Sequence, residues 1–136
     1  MDRDMIALEL DKVLELLAKE TCCADAAQLA RELVPVPYRK EAERLLDETD
    51  AACRLMAGFG SPSFGALKNT ANALRRAAAG AVLSLRELLD IGETLRVIRS
   101  LAEWYAHCAG AQTVLDDRFH TLSPNKYLED RINTTV

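Results

Sequence analysis

The chain has 136 residues, 49% of them hydrophobic and 28% charged, with only 5% aromatic residues and a formal net charge of −4. That length suits one domain, and the composition is that of an ordinary folded protein rather than a disordered or fibrous one. The acidic balance excludes a self-sufficient duplex binder, which needs a basic face to neutralise phosphates, although it leaves open DNA contact by a larger protein. Met1-Asp2-Arg3-Asp4 leads into helix formers with no apolar leader core or cleavage site. No stretch approaches the roughly 18 apolar residues of a membrane span, so a cytoplasmic protein with no membrane partner is expected.

The first helical pattern covers about 6–20, with Leu10, Val13, Leu14 and Leu17 at i, i+3, i+4, i+7 as the buried stripe. A second helix runs over about 25–33, with Asp25 as N-cap and Pro35-Val36-Pro37 blocking continuation. The third spans about 39–57, its inward stripe being Ala42, Leu45, Leu46, Thr49, Cys53 and Met56. Gly58 is its expected C′ residue, opening the turn Gly58-Phe59-Gly60-Ser61-Pro62-Ser63-Phe64-Gly65. A fourth helix over about 67–79 turns Leu67, Ala71, Leu74 and Ala78 inward, and Gly80 closes it.

Ser84-Leu85-Arg86-Glu87 fits a capping box. Behind it Leu88, Ile91, Leu95, Ile98, Ala102 and Tyr105 repeat with heptad spacing. A helix over about 85–108 would be about 36 Å long, and a rod of that kind needs other helices against it. Thr113 and Asp116 suggest a cap for a short helix through about His120, and Ser123-Pro124-Asn125 a turn before a helical stretch over 126–131. Asn133-Thr134-Thr135-Val136 changes character towards strand formers. It reads as a chain cut where a next element begins, with a frayed terminus as the alternative. The fold class is therefore all-α, a multihelical bundle with one long heptad-patterned helix, and 1–136 forms a single helical segment.

Catalytic chemistry finds no footing. There is no phosphate-binding glycine loop, and Gly58-Phe59-Gly60 is a helix-ending turn, too short for a dinucleotide fingerprint. His107, Cys108, Asp116, Asp117 and His120 lie close in sequence, but His107 and Cys108 are helix neighbours roughly 100° apart around the axis, and zinc-ligand spacing is missing. Cys53 or Cys108 with His120 makes no recognisable nucleophile pair, and Asp47, Glu48 and Asp50 read as a wet helix face. Cys22, Cys23, Cys53 and Cys108 are expected reduced and packed. Arg75, Arg76, Arg96 and Arg99 are the candidates for phosphate contact, against ordinary helix solvation. No catalytic, cofactor-binding or metal residue is assigned.

The order of these motifs resembles the amino-terminal region of the bacterial MutS-II family, paralogues of the mismatch-repair ATPase MutS. The family's L-E-[FY]-D-K-[IV]-L opening corresponds to Leu8-Glu9-Leu10-Asp11-Lys12-Val13-Leu14, with Leu10 in the aromatic position. Leu33-Val34-Pro35, Glu48-Thr49-Asp50-Ala51-Ala52 and Pro62-Ser63-Phe64-Gly65 follow in the family's order. The block from Arg76-Ala77 through Gly80 and Ser84 to Glu87-Leu88-Leu89-Asp90-Ile91 matches as well, with Ala81 where the family often has a second glycine.

The resemblance spans about 6–105 and implies the start of the MutS core, or lever, region, which joins a DNA-embracing clamp to a dimeric ATPase. It implies a longer parent that uses ATP and Mg, forms a homodimer and meets branched DNA or the ribosome through other domains. Many members also end in a nuclease domain. None of the family's ATP, clamp or nuclease residues falls on these positions, so the chain itself would be a non-catalytic mechanical piece, partnered by the remainder of its own polypeptide. The alternative is a free-standing helical interaction module, a homodimer through the 88–105 seam.

Overall fold

The computed structural model describes residues 3–108 and 112–136, and Met1 and Asp2, read above as part of the lead-in, lie outside the described residues. Among the described residues there are eight helices and no strand: α1 (Arg3–Ala7), α2 (Leu10–Lys19), α3 (Ala24–Arg31), α4 (Arg39–Phe59), α5 (Ala71–Ala78), α6 (Leu85–His107), α7 (Asp116–His120) and α8 (Lys126–Thr135). The all-α expectation holds. No described helix is long and apolar enough to cross a membrane.

The first expected helix is broken. Leu8 and Glu9 separate α1 from α2, and Glu9 takes the left-handed conformation at φ 57°. There its carboxylate accepts from Lys12 Nζ at 2.6 Å and sits at the start of α2, where negative charge suits the helix dipole. The buried line is Leu14 and Ala18, with Leu10 half-buried, while Val13 and Leu17 face outward. The inward row thus runs i, i+4, i+8, because α2 packs mainly on α3, with only the short α1 beside it.

Asp25 is not the cap of α3; Cys23 holds that position and Asp25 lies in the first turn. Arg31 Nε and Nη2 reach back to the Glu15 carboxylate at 2.8 and 3.1 Å, tying α3 to α2.

Two helix boundaries move. The third helix runs past Gly58 to Phe59, and Gly60 (φ 79°) follows it. The fourth begins at Ala71 rather than 67: residues 65–70 cross the long helix in a non-helical path, and Asn69 Oδ1 accepts from the Ala71 amide at 3.0 Å. In α5 the buried residue is Ala73, and Leu74 is exposed. Its end is a Schellman closure, with Gly80 donating to the Ala77 carbonyl and Ala81 to that of Arg76, both at 2.9 Å.

The capping box forms as expected. The Glu87 amide donates to Ser84 Oγ at 3.3 Å, and the Ser84 amide donates to Glu87 Oε2 at 2.9 Å. Ser84→Ala should cost about 1 kcal/mol of helix stability, measurable as a lowered midpoint in a urea unfolding curve followed by circular dichroism.

The heptad residues of α6 pack within the chain. Ile91, Ala73 and Ile132 form the buried centre, with Leu83, Leu88 and Leu95 against it. Gly92 is what lets α8 come so near: a Cβ there would lie 3.1 Å from Ile132 Cγ2. Val97, outside the seam, is 2% exposed, because the loop at Gly65 covers the other side of the helix.

The expected strand-like tail is helical. Thr134 Oγ1 and Thr135 Oγ1 donate to carbonyls one turn back, at 2.9 Å to Asp130 and 2.6 Å to Arg131. Packing of Ile132 and Glu129 on α6 overrides the weak strand preference of threonine. The cysteines are free, but Cys22 and Cys53 are exposed and only Cys108 is buried, against the expectation that all four are packed.

Candidate functional site

The most developed constellation is the charged and aromatic joint along one side of α6. Asn125 caps α8, its Oδ1 accepting from the Leu128 amide at 3.0 Å. The first turn of α8 then presents Glu129 to α6. Arg99 grips that carboxylate with two parallel bonds, Nε to Oε2 and Nη2 to Oε1, both 2.9 Å, while its Nη1 reaches Glu103 at 3.0 Å. The Glu129 side chain is 4% exposed and that of Arg99 28%. A bidentate, nearly dry pair of this kind fixes direction as well as distance. The Arg99 guanidinium holds Glu129 below the usual carboxylate range, and Glu129 in turn raises Arg99. Arg96 pairs with Glu93 at 2.9 Å, and Glu93 is lowered by that contact and by the Ala66 amide of the crossing loop.

Further along α6, Tyr105 and Phe119 of α7 stack with centroids 4.1 Å apart, and Trp104 meets Phe119 at 5.9 Å. Tyr105 donates its hydroxyl to Asp116, whose same oxygen accepts from the Thr113 amide at 3.2 Å. Arg118 of α7 then bonds Glu48 of α4 at 2.7 Å, and this contact lowers the Glu48 pKa.

The sequence candidates distribute as follows. His107 is exposed and its Nδ1 lies 2.7 Å from the Glu103 carbonyl. Cys108 is buried, with Sγ 3.4 Å from the Trp104 carbonyl, and burial pushes its thiol up, away from a nucleophilic thiolate. His120 is exposed, edge-on to Tyr105 at 6.3 Å. Asp117 is exposed and so is Cys53, on a different helix. Asp47 and Asp50 line a groove of about 510 Å³ with Arg54, Thr113 and Asp116, but Asp50 is taken by Arg54 and Asp116 by Tyr105 and Thr113. Among the described residues no group of three potential ligands is arranged to hold a metal ion.

Of the four arginines singled out, Arg76 binds Glu87 at 2.9 Å, Arg96 binds Glu93, Arg99 binds Glu129, and Arg75 bonds Asn72 on its own helix. The residues that sequence reasoning missed are Glu129 and Glu103. No local signal marked Glu129, which stands in the charged run Glu129-Asp130-Arg131. In this arrangement α6 is held to α8 by charge and apolar packing, and α7 links it to α4 through the exposed Arg118–Glu48 pair.

No family model matches the chain. Individual proteins do. It is 27% identical to the endonuclease MutS2 of Acetivibrio thermocellus over 99% of its length, and 24% identical to the endonuclease MutS2 of Halothermothrix orenii over 95%. The endonuclease MutS2 of Clostridium perfringens strain SM101 is 32% identical over 77% of the chain. In each case the match spans a small part of the relative, 17% of the first two and 13% of the third. The relatedness therefore runs through nearly all of these residues in one MutS2 protein after another, in agreement with the motif order, and the chain is a MutS2-related helical segment.

Proposed function

We propose that the chain is a non-catalytic strut, the amino-terminal part of the helical core or lever of a longer MutS2-type protein. In this reading the parent binds DNA, turns over ATP with Mg as a homodimer and carries its endonuclease elsewhere. This segment relays the state of the ATPase to the DNA-holding part. The control of recombination and repair, and the rescue of stalled ribosomes in some settings, would belong to that parent.

The observation that carries the reading is surface. A compact folded monomer of 15.0 kDa exposes about 7,000 Å², whereas this chain exposes 10022 Å². The surplus of about 3,000 Å² is larger than one side of a standard protein interface. It includes Val13, Leu16, Leu29, Leu33, Leu46 and Met56, each at least 45% exposed. That surface is the expected signature of a piece that completes its core with further helices.

The test uses the full-length parent. Leu95→Ala trims the half-buried packing of α6 on its core cluster without introducing charge. The ratio of DNA affinities in the ATP and ADP states should fall by at least about fivefold, with helix content retained. An unchanged ratio in a folded variant would overturn the mechanical role.

A further inference from the structure

We infer that Glu9 is a hinge, at which α1 and α2 pass between a bent pair and one continuous helix over residues 3–19. The hinge belongs to this chain's own backbone and does not rest on the relay role.

The strain at Glu9 has little to hold it. Glu9 is the one non-glycine residue with positive φ among the described residues, at 57°. The left-handed conformation is unfavourable for any residue with a Cβ, and it persists only where the surroundings dictate it. Here they dictate little. The Glu9 side chain is 65% exposed and that of its partner Lys12 69%, so solvent screens the pair. Leu8 is 80% exposed and Ile6 55%. No glycine or proline lies between Arg3 and Lys19, so no residue there requires a break.

Local preference favours the continuous form. Ala7, Leu8, Glu9 and Leu10 are all strong helix formers. In the bent form the Glu9 amide donates to the Ile6 carbonyl at 3.0 Å and the Lys12 amide to that of Glu9 at 3.1 Å, both three-residue closures. Straightening replaces these with four-residue bonds. It also gives acceptors to Leu10 and Asp11, the first-turn amides that a helix start leaves without an intrahelical partner. Against this stands the packing of α1 on α2, from a helix of only 5 residues. Small opposing terms of this kind make a two-state element.

Straightening has a defined product. The 10-residue α2, about 15 Å long, becomes the end of a rod of about 26 Å. Ile6 then joins Leu10, Val13 and Leu17 on one line, spaced 4, 3, 4. The bent form interrupts that line and leaves Ile6 apart from it.

Amide hydrogen exchange of the full-length protein, resolved residue by residue over 6–14, reads the hinge directly. Glu9→Gly relieves the strain of the bent form, and Glu9→Ala favours the continuous one. The Leu14 amide lies inside α2 in both forms and is the standard for a folded helix. With Leu14 protected alike, Leu10 and Asp11 should exchange at least about fivefold more slowly in Glu9→Ala than in Glu9→Gly. The unsubstituted protein should lie at or between those rates. Equal exchange of Leu10 and Asp11 in the two variants, whether fast or slow, overturns the hinge. Should Leu14 lose protection in Glu9→Ala, Lys12→Gln decides instead, because it removes the ion pair of the bent form and leaves Glu9 in place. Slowing of Leu10 and Asp11 by about twofold then supports the hinge, and unchanged rates overturn it.

Discussion

Arg99→Met is expected to be the most damaging change at any ion pair of the chain, and its cost should shrink as the solution is acidified. Removing the guanidinium leaves Glu129 as a carboxylate with 4% of its side chain exposed and its bidentate partner gone. Stranding a buried charge is worse than losing a contact, because the desolvation that the pair offset is no longer compensated. Glu129→Gln keeps the shape and one acceptor, and should cost about 2 kcal/mol; Arg99→Met should exceed it.

The pH dependence follows from the direction of the shift. In the native chain Glu129 is held below its ordinary pKa of 4.5, first by the Arg99 hydrogen bonds. Its contribution is therefore fully present above that ordinary value and is lost as pH falls through the lowered one. In Arg99→Met the buried carboxyl instead gains by protonation. Urea midpoints for the two proteins should be far apart at neutral pH and converge below about pH 4. A gap constant over that range would mean that Glu129 is not buried as a charge. Arg99→Met combined with Glu129→Leu should recover much of the loss, since an apolar pair needs no compensation.

The second large effect belongs to a glycine. Gly65 has φ 57°, and a Cβ on it would lie 2.7 Å from Glu93 Oε1 and 2.9 Å from Val97 Cγ2. The glutamate can swing aside, but Val97 is 2% exposed and has no room to move. Gly65→Ala thus combines left-handed backbone strain of about 1–2 kcal/mol with overpacking of similar size, for a total of about 3 kcal/mol. Gly80→Ala separates the two causes: its φ is 85° at the Schellman helix end, but nothing lies within 4 Å. It should lose only the backbone part, about 1 kcal/mol. Equal falls in melting temperature for the two variants would show that the crossing loop is not pressed against α6.

What the sequence made legible was local. The capping box at Ser84, the extent of the long helix and the glycine closure at Gly80 are decided by residues within a few positions of one another, and each was read correctly. The inward faces were not. In α2, α4 and α5 the apolar stripe chosen by periodicity differs from the one that the chain buries, because these helices carry apolar residues on more than one side and have few neighbours here. Periodicity finds a face that wants covering; it does not say when the cover is elsewhere. The Arg99–Glu129 joint spans thirty residues of sequence, and no pattern short of the fold connects them.

The sparse attachment of α4 has a consequence for cooperativity. The helices α1–α3 pack on one another, α6 gathers α7 and α8, and α4 is tied to them mainly through Glu48–Arg118 and one narrow apolar row. A chain built this way is expected to melt in parts rather than as one unit. The stability changes set out above for Arg99 and Gly65 belong to the block around α6, and α4 can detach without disturbing it. In a longer protein that independence would be an asset: a helix weakly committed to its own neighbours is free to take its rigidity from whatever packs against it.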